Sequence, residues 1–111
     1  MDHEAVARAC LKIMKDPGFL DEVGPYPDPD DPALPEAIRQ IQAVDISVNR
    51  DRIIIRKIGA FDNMGYRFEP DLNRPGRCNL YYFEMHSPDI RLYTIDLETS
   101  EMKGKSESRG F

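Results

Sequence analysis

Between residues 44 and 58 the chain reads Val-Asp-Ile-Ser-Val, then Asn-Arg-Asp-Arg, then Ile-Ile-Ile-Arg-Lys-Ile, and no other stretch limits its fold so tightly. The first limb alternates apolar and polar residues, the second is rich in β-branched isoleucine, and four polar residues separate them, the pattern of a β-hairpin. A connection of even length sets Val48 against Ile53, Ile46 against Ile55 and Asp45 against Arg56. One face is then apolar and the other carries an opposite-charge pair. An odd connection sets Ile46 against Ile54 and loses the charge match. Arg50-Asp51 is a poor two-residue turn, so a four-residue loop over residues 49–52 is expected.

A second hairpin is expected from residues 78–85 and 90–97, joined by His86-Ser-Pro-Asp89. The same even-loop rule sets Met85 against Ile90, Phe83 against Leu92, Glu84 against Arg91, Tyr82 against Tyr93 and Leu80 against Ile95. Here both faces come out apolar: Phe83, Met85, Ile90 and Leu92 on one, Leu80, Tyr82, Tyr93 and Ile95 on the other. A strand pair apolar on both sides needs cover on both. The second face is therefore expected to lie under the Pro-rich segment or under another chain.

Before the first hairpin, Val6, Cys10, Ile13 and Met14 recur at helical spacing, with Leu11 widening the stripe, which predicts an amphipathic helix from Asp2 to about Lys15. Asp2 and Glu4 sit at its start and Lys12 and Lys15 at its end, as the helix dipole favours, and Asp16-Pro17-Gly18 stops it. Residues 17–35 hold six of the nine prolines. Proline lacks the amide a ladder needs, so this segment is expected to be loop, with at most one helical turn over residues 19–23. Pro35 looks like the first residue of a short second helix over residues 35–42, with Leu34, Ile38 and Ile41 on its buried side. A short strand over residues 66–69 follows the glycine-bounded loop 59–65, and residues 98–111 read as a polar, flexible tail.

The expected fold is α+β: an antiparallel sheet of about five strands, two hairpins plus a short strand, with the N-terminal helix and the short second helix on one face. Residues 1–97 form one domain and 98–111 its tail, a length sufficient for one hydrophobic core. The two cysteines, Cys10 and Cys78, lie far apart in different elements, which describes two buried thiols and no disulfide framework. No run approaches the roughly 20 apolar residues that span a bilayer, and the first residues lack the basic-then-apolar order of a secretory signal. A cytoplasmic protein without membrane contact is the expectation.

Several motifs invite chemistry and fail on spacing. Asp28-Pro-Asp30-Asp31 lacks the glycine and glutamate of a calcium loop, with Ala33 and Arg39 at those positions, so no metal is assigned. Residues 59–65 hold five residues between glycines where a phosphate loop has four, and tyrosine follows instead of Lys-Ser/Thr. Cys78 and His86, eight strand residues apart at about 3.3 Å each, stand roughly 26 Å from one another and cannot form a nucleophile and its base. Glu84 and His86 fall on one strand face at close spacing and could form an acid–base couple, but Glu84 is expected to match Arg91 and His86 to sit at a turn, so catalysis by this pair is not the expectation.

Charge is unevenly spread: residues 1–45 carry 4 basic and 10 acidic side chains, residues 46–79 carry 7 and 4. The arginines of the middle section, Arg50, Arg52, Arg56, Arg67, Arg74 and Arg77, could track a nucleic-acid strand. Against a net charge of −5 they are expected instead to pair with Asp45, Asp51, Glu69 and Asp71, which argues against nucleic acid as partner. Nothing in the residues specifies a reaction or a cofactor. The functional expectation is a small acidic, non-catalytic interaction or regulatory module that self-associates or binds a protein partner through Leu80, Tyr82, Tyr93 and Ile95. The alternative is a small-ligand-binding protein or minor enzyme with a pocket near residues 59–65, using Asp62, Asn63 and His86.

Overall fold

A computed structural model describes residues 2–58 and 63–104. Among them the chain forms helices α1 (His3–Met14), α2 (Phe19–Glu22) and α3 (Glu36–Arg39), then strands β1 (Asp45–Val48), β2 (Ile53–Ile58), β3 (Asn63–Pro70), β4 (Arg77–Glu84), β5 (Ile90–Asp96) and β6 (Met102–Gly104). The strands make one sheet in sequence order, every neighbouring pair antiparallel. The fold is α+β as expected, with six strands rather than about five. The added strand, β6, pairs Ile95 with Met102 and Tyr93 with Gly104, inside the stretch read from sequence as tail. No helix among the described residues is long and apolar enough to cross a membrane.

The first hairpin has the even register: Asp45 faces Arg56, Ile46 faces Ile55 and Val48 faces Ile53. Asn49 closes its four-residue turn, its side-chain oxygen accepting the amide of Arg52 at 2.9 Å. The Arg56 Nε donates to the Asp45 carboxylate at 2.9 Å. Helix α1 begins at Asp2, whose carboxylate accepts the Ala5 amide at 3.1 Å, one of the donors a helix start leaves unpaired. Pro35 lies just outside α3 as its N-cap, with ψ of 145°, rather than as its first helical residue. Gln42, with φ of 59°, ends the turns that follow α3.

The interior is a single layer between the helices and one side of the sheet. Val6, Cys10 and Ile13 of α1, Phe19, Leu34, Ile38 and Ile41 meet Ile46, Val48, Ile53, Ile55, Tyr66, Phe68, Cys78, Leu80 and Ile95, all buried. The Pro-rich segment runs beside the sheet edge, where the Pro25 carbonyl accepts the Val48 amide at 2.8 Å, so β1 does not offer that amide to another chain. Its aspartates shape turns: Asp28 accepts the Asp30 amide and Asp31 the Ala33 amide, at 2.9 and 2.8 Å. Both thiols are interior. Burial pushes Cys10 up to about 12 and Cys78 up to about 11, so neither ionises near neutral pH.

The second hairpin departs from its expected register. Cys78 faces Ile95, Asn79 faces Thr94 and Leu80 faces Tyr93, and a bulge then sets Tyr81 against Arg91 and Tyr82 against Ile90. The pairs Met85–Ile90, Phe83–Leu92, Glu84–Arg91, Tyr82–Tyr93 and Leu80–Ile95 do not form. Leu92 is the extra residue of the bulge, which accommodates a change of strand phase partway along β5. Leu80, Tyr82, Tyr93 and Ile95 consequently share the inward side. Leu80 and Ile95 are fully buried, and Tyr82 and Tyr93 pack against the core as partly buried neighbours. Helix α1 supplies their cover. The expected docking face is thus an interior face, and the side of the sheet left bare is the opposite one.

Candidate functional site

The bare side is built from alternate residues of every strand. One cross-strand row runs Ser47, Ile54, Arg67, Tyr81, Arg91, and the next runs Asp45, Arg56, Gly65, Phe83. Ile54, Ile58, Tyr81 and Phe83 are the apolar members. None is among the residues packed on the core; Ile54, Tyr81 and Phe83 are half-buried by their neighbours on the sheet, and Ile58 is 59% exposed. Arg67 links several of these residues. The Arg67 guanidinium sits 4.7 Å from the centre of the Tyr81 ring and bonds Glu69 and Asp89, each at 2.8 Å. Partial desolvation works against that charge, but the Asp89 hydrogen bond and the Glu69 carboxylate outweigh it and raise the Arg67 pKa. Beside Tyr81, the Asn79 amide is 4% exposed and accepts the Thr94 hydroxyl at 2.7 Å. Phe83 lies over Gly65, the position directly across from it, where a missing side chain leaves room for the ring.

Carboxylates neutralise most of the arginines on this side. Arg56 pairs with Asp45, Arg52 and Arg67 with Glu69, Arg77 with Asp96 at 3.9 Å, and at the margin Arg74 with Asp71 at 3.7 Å. Of the carboxylates expected as partners, Asp45, Glu69 and Asp71 take that role. Asp71 and Asp96 are held below the usual carboxylate range first by backbone amides, of Asn73 and of Thr99 and Glu98 respectively.

At one end of the sheet the other side carries an aromatic cluster. His3 Nδ1 lies 2.7 Å from the Tyr66 hydroxyl, and the Tyr82 hydroxyl donates to Glu84 at 2.9 Å. The Tyr66 and Tyr82 rings meet edge to face with centres 5.7 Å apart. Burial pushes the Tyr66 phenol up to about 12, with Tyr82, Cys10 and Asp2 adding to it, so it remains a donor and does not become a nucleophile. The hydrogen bond between this phenol and His3 Nδ1 ties the start of α1 to β3.

Burial lowers the His3 pKa from 6.5, with Asp2 acting the other way. The unfolded chain then binds more protons than the folded one from pH 6.5 down to the folded value. His3 therefore contributes stability that is present above about pH 6.5 and lost as pH falls through that window. Asp71 and Asp96 act lower, their contribution present above about pH 3.8 and lost below it. Urea midpoints are expected to decline from pH 7.5 to 5.5 in the native chain, and His3→Gln to show a shallower decline. An identical slope in both would assign the dependence to other groups.

No family model, curated protein or solved structure matches the chain. Geometry alone therefore ranks its surfaces. Of the residues expected around a pocket, Asp62 lies outside the described residues. Asn63 opens β3 and His86 is exposed just after β4; the Met85 amide donates to the Asn63 carbonyl at 3.0 Å, so these two share one end of the sheet. Tyr81, Phe83, Arg67 and Ile54, which dominate the bare side, were not singled out together by sequence reasoning. Gly65, expected to end a loop before a strand over residues 66–69, lies instead inside β3, where a glycine marks a close approach of backbone or ring.

Proposed function

We propose that the protein is a small, non-catalytic interaction module that self-associates through the open side of its sheet. The observation that carries this reading is the division of the apolar residues: the helices cover one side, while Ile54, Ile58, Tyr81 and Phe83 stand on the other beside an arginine locked by two carboxylates. Tyrosine, phenylalanine and arginine are residue types concentrated in protein interfaces, and the Tyr81 ring, already stacked on Arg67, loses little entropy on docking. The charges favour a second copy over a nucleic acid. Arginine and carboxylate alternate across the surface, so two such faces can meet about a twofold axis without massed like charge. A phosphate backbone would have to displace this chain's own carboxylates from Arg52, Arg56, Arg67 and Arg77.

Light scattering across a concentration series tests the reading. The mass is expected to rise from 12.8 kDa toward twice that value, and Phe83→Glu to hold it at the monomer while leaving the circular dichroism spectrum unchanged. A native chain that stays monomeric at every concentration, or a dimer indifferent to Phe83→Glu, would refute it.

A further inference from the structure

On the helical side of the molecule, away from that surface, a groove of about 340 Å³ opens between the end of α1, helix α2 and the β1–β2 turn. Its floor is apolar: Ile13, Phe19 and Val48 are buried there, and Leu20 is half-buried beside them. Its rim is charged on two sides. Asp16 and Asp21 stand on the helix side, Asn49 and Arg50 on the turn side. Asp16 spends one carboxylate oxygen on the Gly18 amide at 3.0 Å. The Asn49 oxygen is occupied by the Asp51 and Arg52 amides, so toward a ligand its side chain offers N–H donors. The side chains of Asp21 and Arg50 form no ion pair with another described residue, so opposite charges border one groove without cancelling across it. The volume is at the small end of ligand sites, which run from about 300 Å³ upward.

We infer that this groove binds a free α-amino acid with a large apolar side chain. The side chain fills the floor, the ammonium meets Asp16 and Asp21, and the carboxylate meets Arg50 and the Asn49 amide, charge-assisted bonds that a neutral apolar molecule could not make. The site is half-open, so millimolar affinity is the expected range.

Methyl NMR of the full chain titrated with L-leucine and L-phenylalanine tests this. Saturable shifts are expected at Ile13, Leu20 and Val48. N-acetyl-L-leucine lacks the ammonium and imitates a peptide C-terminus; L-leucinamide lacks the carboxylate and imitates an N-terminus. Each is expected to bind about tenfold more weakly, as are the parent amino acids to Asp21→Asn and Arg50→Gln, both exposed positions whose change leaves the core intact. Binding indifferent to either cap would make the groove a merely apolar cleft or a peptide-end site and overturn the inference. So would the absence of saturable shifts at the groove methyls.

Discussion

Gly65→Ala is expected to destabilise the protein by about 3 kcal/mol, a large effect for the addition of one methyl group. A Cβ at this position would stand 1.9 Å from the Ile55 carbonyl oxygen and 3.0 Å from both its carbon and the Phe83 ring. The ring can rotate away, but the Ile55 carbonyl belongs to the adjoining strand and cannot move without parting β2 from β3. That seam carries Ile53, Ile55, Tyr66 and Phe68, all essentially inaccessible to solvent, so local relief would open the core. Gly18→Ala is the control: its Cβ would meet only side-chain oxygens at 3.6 Å and beyond, with φ at −90°, and it is expected to be nearly neutral. Urea unfolding followed by circular dichroism measures both. Adding Phe83→Ala to Gly65→Ala is expected to restore nothing, because the obstacle is main chain. Recovery in that double variant would show that the ring, and not the carbonyl, sets the requirement for glycine.

How far sequence foretold this structure depended on whether a strand has one apolar side or two. In the first hairpin β1 is apolar on only one side, so a slip by one residue would expose Ile46 and Val48 and separate Asp45 from Arg56. Pattern and charge agree, and the observed register is the expected one. Helix α1 was legible for a similar reason, since its 3.6-residue stripe and its start at Asp2 point the same way. In β4 and β5, Leu80 and Tyr82 alternate with Tyr81 and Phe83, and Ile90 and Leu92 with Tyr93 and Ile95. Either side satisfies the pattern, and the bulge at Leu92 changes the phase midway. Nothing local distinguishes the register that buries Leu80 opposite Tyr93 from one two residues away. The bare surface was hidden for a separate reason: Arg67 and Gly65 meet Tyr81 and Phe83 only through the β3–β4 register, which spans a loop whose length alone does not fix the pairing. β6 has a different cause: Met102-Lys103-Gly104 carries little strand preference, and its pairing comes from the edge that β5 presents. Asn63 and His86 were placed at one end of the fold by the strand connections, a proximity that says nothing of a ligand.

A carboxylate introduced at Leu80 is expected to abolish folding, while one introduced at Ile54 leaves the fold intact and weakens self-association. The two positions lie on opposite sides of the sheet, on β4 and β2. Leu80 has 0% exposure and lies among Phe68, Tyr93 and the helices, so Leu80→Asp forfeits about 2–3 kcal/mol of apolar burial and adds several kcal/mol for an uncompensated charge. Domains of this size are stable by roughly 5–15 kcal/mol, and that loss consumes most or all of it. Ile54 faces outward with Arg67, already shared by Glu69 and Asp89, across from it on β3, so the carboxylate of Ile54→Asp reaches solvent at a cost of about 1 kcal/mol for lower strand propensity. Circular dichroism and proton NMR dispersion read folding, and light scattering reads association. The native-like spectrum of Ile54→Asp combined with a monomeric mass would separate the role of that side from the role of the core. A folded Leu80→Asp would place the helical layer elsewhere and return Leu80, Tyr82, Tyr93 and Ile95 to the surface. The value of the pair lies in chemical identity: the same charge enters adjacent layers of one sheet, so any difference in outcome reports which side the helices cover.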